Sequence, residues 1–265
     1  MVADPPLGAL NPGPLDPART PATPSAPPEI VFTHPAFVVA DKPPLWLSHP
    51  VHSPYAVPDI LTELRARLNE PGLGPPHRLD RETSGAMLFT RTPEAARRFF
   101  TLFKQQLVAK TYLAIVRGVP TWDETELDAP LGFLGTGGGN TVRVRQGVVP
   151  EGRPAVTRFS VLERRAGHAL IEARPRTGRM HQIRAHLWHL SLPLVGDKVY
   201  GGHPGCYLEF IQQGVTPGML DKLGLGRQAL HAARLAFPYG GEQFRIEVPL
   251  PADLQAYWDA LPTGP

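Results

Sequence analysis

Thirty-two prolines among 265 residues are more than helix and strand interiors can hold, so loops and tails must cut this chain into short elements. Their distribution is uneven. Nine fall within residues 1–28, among Ala, Gly, Ser and Thr and with almost no large apolar side chains, the composition of a disordered, polyproline-leaning tail. Folded structure is expected over 29–265. That length suits one large domain or two small ones and allows about 70 to 75 per cent of the unfolded surface to be buried.

Strand-like segments predominate. Ile30–Phe32 and Phe37–Ala40 flank a His34-Pro35 turn, and Gly85–Thr90, Tyr112–Val116, Val142–Arg145, Ala155–Leu162, Ala169–Ala173, Leu230–Phe237 and Phe244–Val248 alternate or cluster β-branched and apolar residues. Helical spacing appears over Asp59–Leu68, Met180–Leu190 and Ala252–Leu261. Another helix opens at Thr92-Pro93-Glu94, with a capping hydroxyl, a first-turn proline and an acid at the positive end of the dipole, and runs to about Gln106. The helices do not alternate regularly with strands, and no repeat is visible. Gly135–Asn140 reads as a flexible loop tip, since a phosphate-cradling loop would need a following helix and a Lys-Ser/Thr pair.

Neither a secretory signal nor a membrane-spanning run of apolar residues is present, so a soluble, cytoplasmic protein is expected. The single cysteine, Cys206, offers neither an internal disulfide nor a thiolate cluster. A net charge of +3 and a pI near 9.2 favour a polyanionic partner without identifying one. Basic residues also cluster locally, at Arg78, Arg81 and Arg91, at Arg97, Arg98 and Lys104, and at Arg174, Arg176, Arg179 and Arg184. Any one cluster could be a solvated face.

Asp80 is the candidate reactive group. It sits in His77-Arg78-Leu79-Asp80-Arg81-Glu82-Thr83-Ser84-Gly85, where Arg78 and Arg81 could keep a carboxylate ionised and the small residues allow a sharp turn into the next strand. On these grounds alone, a loop Asp in a surface ion pair remains the simpler reading.

The same segment resembles the signature of RluA-type pseudouridine synthases, His-Arg-Leu-Asp, two variable residues, then Thr-Ser-Gly. Further blocks resemble that family in the same order: Lys110-Thr111-Tyr112 with Val116-Arg117-Gly118, Arg176–His186, Pro193–Gly201, Leu230-His231-Ala232 and Pro249-Leu250-Pro251. The resemblance covers Glu29 to about Leu261. It implies an α+β fold, a mixed, mostly antiparallel sheet with flanking helices, and a monomer that isomerises specific uridines in structured rRNA or tRNA without a metal or organic cofactor, DNA or a membrane. Asp80 would be the nucleophile, Arg184 would pair with it and orient it, and Tyr112 would stack on the target base. Ile183 would floor the uracil, and Arg78 would fill the gap left when the uridine is turned out of its stack. Arg81, Lys110 and Arg179 would bind substrate, with the remaining basic clusters on phosphates. Met180 departs from the polar residue usual in its block. No S4-like RNA-binding module is recognisable, so the catalytic domain is expected to do most of its own RNA binding.

Two other readings compete. His181, His186 and His189 share one expected helix, but offsets of five and eight spread them by roughly 140 and 80 degrees, which does not suit a metal site. A catalytically silent RNA-binding protein on the same fold is opposed by the intact Asp80, Tyr112 and Arg184.

Overall fold

Phe37 and Val39 face one way along their strand, Val38 and Ala40 the other, and all four are fully buried, so this part of the sheet must be covered on both faces. A computed structural model describing residues 26–51, 57–135, 144–201 and 205–264 shows how. β1 (Glu29–His34), β2 (Phe37–Lys42), β3 (Ser84–Thr90), β4 (Ala109–Arg117), β5 (Glu124–Asp128), β8 (Val156–Arg165), β9 (His168–Pro175), β10 (Leu230–Tyr239) and β11 (Glu242–Glu247) form a nine-stranded sheet. Its order is β1-β2-β3-β10-β4-β9-β8-β5, with β11 paired to β10. β6 (Leu131–Phe133) and β7 (Gln146–Val148) make a separate hairpin.

Among the described residues, every pairing in the large sheet is antiparallel except β3 with β10, which matches only Ser84 to His231 and Gly85 to Ala232. This short parallel seam joins the two halves of the sheet. One face carries α1 (Ile60–Leu68) over the first half and α3 (Gln182–His189) over the second, and Tyr112 packs against both of their core clusters. The opposite face is closed by α2 (Pro93–Lys104), through Phe99 and Leu102, and by α6 (Ala252–Asp259), through Leu254 and Trp258. Behind the junction the two core clusters are separate, and buried His231 bonds there to the Ser84 hydroxyl at 2.9 Å and to Val248 O at 3.1 Å; in front, the junction lies beside Tyr112.

The helix starts obey local chemistry. Asp59 accepts from Thr62 N at 2.8 Å and Thr92 from Ala95 N at 3.1 Å, each satisfying a first-turn donor. α4 (Cys206–Gln213) and α5 (Pro217–Leu223), with Thr216 capping the latter, were not expected from apolar periodicity; nor were β5, β6 and β7. The strand expected over Val142–Arg145 is displaced: residues 142–143 lie outside the described set, Val144 is in a turn, and β7 begins at Gln146. Most of the Gly135–Asn140 loop and residues 1–25 also lie outside it. Residues 26–28, placed in the tail above, are bonded to the fold: Trp46 Nε1 donates to Ala26 O at 3.0 Å and Arg67 to Pro28 O at 2.7 Å. No helix among the described residues is long and apolar enough to cross a membrane.

Gly85 fixes the seam. Its φ is 112°, and a Cβ there would lie 2.3 Å from the Ala232 carbonyl oxygen, in rigid backbone. Gly85→Ala is expected to cost about 3 kcal/mol or more of folding stability through left-handed strain and overpacking. Urea denaturation checks this, and a loss below about 1 kcal/mol would show that the seam can part without consequence.

Candidate active site

Leu79 points into the core and is tied to Ser48, whose hydroxyl donates to Leu79 O at 2.7 Å and accepts from Leu79 N at 3.0 Å. The next side chain, Asp80, is thereby turned outward, and Thr83 N donates to Asp80 O at 3.1 Å as the chain bends into β3. The Asp80 side chain is 29% exposed at the floor of a cleft of about 810 Å³. Arg184, in the first turn of α3, meets it there: the guanidinium NH1 donates to Asp80 Oδ2 at 2.8 Å.

The other edge of Arg184 is fixed. Nε and NH2 donate to the two oxygens of Asp197 at 2.7 and 2.8 Å, and Asp197 Oδ1 also accepts from Val199 N and Tyr200 N. Asp197 is fully buried. Burial acts to raise the Asp80 pKa, but the Arg184 guanidinium, then His181, and hydrogen bonds from Arg184 and Gln228 hold it below the usual carboxylate range. The carboxylate is ionised at neutral pH. Burial likewise acts against the charge on Arg184, yet Asp197 and Asp80 raise its pKa above the ordinary value.

Of the residues singled out in the sequence, Asp80, Tyr112, Arg184, Arg78, Ile183, Lys110 and Arg179 line the cleft. Arg81 does not. Its Nε donates to Leu45 O at 3.2 Å and its guanidinium lies over the Phe210 ring, since it stands in the turn that Thr83 N closes onto Asp80 O. The ionisation of Asp80, expected from Arg78 and Arg81, is instead the work of Arg184, with a hydrogen bond from Gln228. Glu82, a possible partner for Arg78, is taken by Lys198 Nζ at 2.7 Å, and Arg78 stays exposed on the cleft wall. Burial, and next the charge of Asp80, push the Tyr112 phenol up, so it is a neutral ring at the site. Burial lowers Lys110 to about 8, and its Nζ donates to Thr177 O at 2.9 Å. Arg179 Nε donates to Pro154 O, and Ile183 belongs to the core below.

Several neighbours were not read as parts of this site. His181 Nε2 is 3.8 Å from Asp80 Oδ2. Beneath the loop, the fully buried Lys42 donates from Nζ to the carbonyls of Pro43, Trp46 and Arg81, and burial lowers its pKa to about 7 against the pull of Asp80. His186, weighed above as a metal ligand, is bonded at Nδ1 to the Thr157 hydroxyl and at Nε2 to Ala129 O. His181 and Asp197 stand inside quoted blocks, so their signal was present; Lys42 had none beyond an ordinary Asp-Lys-Pro turn.

Residues 36–189 match the model of a protein family described as RNA pseudouridylate synthase. The chain belongs to that family. Its RluA-type character agrees with its relatives: it is 35% identical over 243 residues to ribosomal large subunit pseudouridine synthase D of Vibrio parahaemolyticus, spanning 88% of this chain and 70% of that one. The protein of the same name from Xanthomonas campestris is 39% identical over 194 residues, 72% of this chain but only 55% of that relative's length. In structure, this family member is similar to human RNA pseudouridylate synthase domain containing 4, with a TM-score of 0.67 and 28% identity over 87% of this chain and 92% of that one. The expected α+β fold on a mostly antiparallel sheet holds.

His77, also on the cleft wall, gives the site a pH signature. Its Nε2 accepts from Leu88 N at 3.0 Å, and burial, with Lys110 nearby, lowers its pKa to about 3. An unfolded His binds a proton near 6.5, so the stability that His77 contributes is complete above that pH and is lost progressively below it, down to about 3. His77→Gln keeps an acceptor for Leu88 and cannot titrate. Urea midpoints measured from pH 7 to 4.5 are expected to fall less steeply in the variant, and equal slopes would show that His77 is not held neutral.

Proposed function

We propose that this protein isomerises uridine to pseudouridine in large-subunit ribosomal RNA, with Asp80 as the nucleophile. The observation that carries the reading is an ionised carboxylate, fixed by a buried arginine, on the floor of a cleft beside a neutral tyrosine ring. The names of the relatives point to ribosomal RNA rather than transfer RNA.

The reaction breaks the bond from uracil N1 to ribose C1′, turns the base, joins C1′ to C5, and exchanges the C5 proton for one on N1. Asp80 meets the nucleoside with a charge that Arg184 orients without removing, since the guanidinium is shared with Asp197. Tyr112 is the platform on which the base lies, and Ile183 floors it. A base must leave its stack to reach a carboxylate recessed in a cleft, and exposed Arg78, on the wall above, fills the space it vacates. Lys110, Arg176 and Arg179, along the rim, meet phosphates and make binding sensitive to salt.

The test is tritium release from RNA labelled at uridine C5. Ribosomal RNA is expected to support release and transfer RNA is not, and Asp80→Asn, which keeps the shape of the site, is expected to lower the rate by about a thousandfold or more. Release by the variant at the normal rate would remove Asp80 from the nucleophile's role. RNA binding without release from any RNA would make this a binding protein.

A further inference from the structure

His181 stands in a backbone state that few residues other than glycine adopt. Its φ and ψ are 55° and 19°, a left-handed conformation uncommon for any residue but glycine, although histidine enters it more often than most, at the entrance to α3. No side-chain cap bond accompanies this. The conformation carries the imidazole into the cleft, edge-on to the Tyr200 ring, with 11% of its side chain exposed. Strain of this kind persists where the surroundings hold it, and it marks places where a side chain is aimed.

The aim can be read from its two nitrogens. Nδ1 lies 3.2 Å from the Tyr200 hydroxyl, and Nε2 lies 3.8 Å from Asp80 Oδ2. Tyr200 is fully buried, and its oxygen accepts from Gln146 N at 2.8 Å. Its own proton then needs an acceptor, and Nδ1 of His181 supplies one. An imidazole that accepts at Nδ1 carries its proton on Nε2, the nitrogen that faces Asp80. Burial, with Arg184 next, lowers the His181 pKa to about 4, against the opposing pull of Asp80 and Asp197, so the ring is neutral at pH 7.

We propose that His181 is a positioning residue for the Asp80 carboxylate, a neutral imidazole locked by Tyr200 with its Nε2 proton toward Oδ2. At 3.8 Å the pair is too far apart for a hydrogen bond, and such contacts at reacting groups commonly tighten when substrate fills the site. A second cation beside Arg184 would further quench the carboxylate's charge. A neutral N–H orients the same oxygen and leaves the charge on it. The proposal rests on the uridine reading only for what the carboxylate does; the tautomer belongs to the free protein.

Two measurements test it. In the full chain labelled with ¹⁵N, with the His181 signals assigned by their loss in His181→Gln, Nδ1 is expected to be unprotonated and Nε2 protonated at pH 7. A proton on Nδ1, or an imidazolium, would overturn the proposal whether or not the protein proves to be an isomerase. In tritium release, glutamine can present an amide N–H where Nε2 stood and asparagine cannot reach. His181→Gln should therefore keep kcat within about threefold, whereas His181→Asn should lose about tenfold in kcat with KM unchanged, the size of one neutral hydrogen bond. Backbone strain alone predicts the reverse order, because asparagine tolerates the left-handed region better. Asparagine equal to or better than glutamine would reduce His181 to a structural part. Absence of release by the unsubstituted protein would refute the isomerase reading and leave the tautomer to decide this one.

Discussion

Two carboxylates share one guanidinium, and the arrangement around Asp80 depends on how that sharing is divided. Asp197 takes Nε and NH2 in a forked pair, leaving NH1 for Asp80. A lysine could not serve both, because its single nitrogen has no fork to hold its direction. The trio carries one net negative charge, and the local structure decides where it resides. Asp197 is fully buried, but backbone N–H groups of Val199 and Tyr200 stabilise it. Asp80 is the partly open member, so the uncompensated charge faces the cleft. The loop that brings Asp197 into place needs Gly196: its φ is 75°, and a Cβ would lie 1.8 Å from the Arg227 carbonyl oxygen. Removing one partner from such a cluster strands a buried charge, a far larger loss than any surface pair could cause.

The loop bearing Asp80 is held from below and behind by side chains distant in sequence. Lys42 binds the Arg81 carbonyl, Lys198 the Glu82 carboxylate, and Gln228 both the Glu82 carboxylate, through its N–H, and the Thr83 hydroxyl, through Nε2. Lys198 also lies over the Phe210 ring, which ties α4 to the same loop. Each contact fixes a backbone or side-chain atom within three residues of the carboxylate. A carboxylate held this way, in the nucleophile's role proposed for it, has little reorganisation still to be made. Lys42 is the most demanding member, a cation with no exposure, tolerable because three carbonyls receive its protons.

This network explains what could be read from the sequence. Asp80, Tyr112 and Arg184 stood in ordered blocks, and the strands β2, β3, β4, β9 and β10 announced themselves through buried β-branched and apolar runs. Lys42 gave no local signal, and Lys198, although it stands in the quoted Pro193–Gly201 block, gave none for its partner: the Arg81 carbonyl and the Glu82 carboxylate lie 39 and 116 residues away along the chain. Arg81 was misread because composition near Asp80 says nothing about which side of the turn each arginine takes. β5 was hidden by its Glu124, Glu126 and Asp128, which look like a solvated loop but are the outward half of an edge strand. α5 was missed although Thr216-Pro217 repeats the Thr92-Pro93 start, because its seven residues are too few for apolar periodicity to appear. His181 was weighed as a metal ligand on a regular helix, whereas its left-handed backbone takes it off that helix and into the cleft.

The cations divide into two populations with different physics. Arg184, Lys198 and Lys42 are almost wholly buried, and each has partners inside the fold: Asp197 for Arg184, Glu82 and the Gly226 carbonyl for Lys198, and three carbonyls for Lys42. At the rim, Arg176 pairs with Glu126 at 2.8 Å, but both side chains are largely in water, where such a pair contributes about 0 to 1 kcal/mol. A phosphate can take Arg176 from Glu126 at little cost. The same protein thus presents a fixed interior and an exchangeable border. That division suits the structured RNA of the proposed function: under that reading the border accepts phosphates wherever the backbone runs, and geometric demands fall on the one nucleoside brought to Asp80.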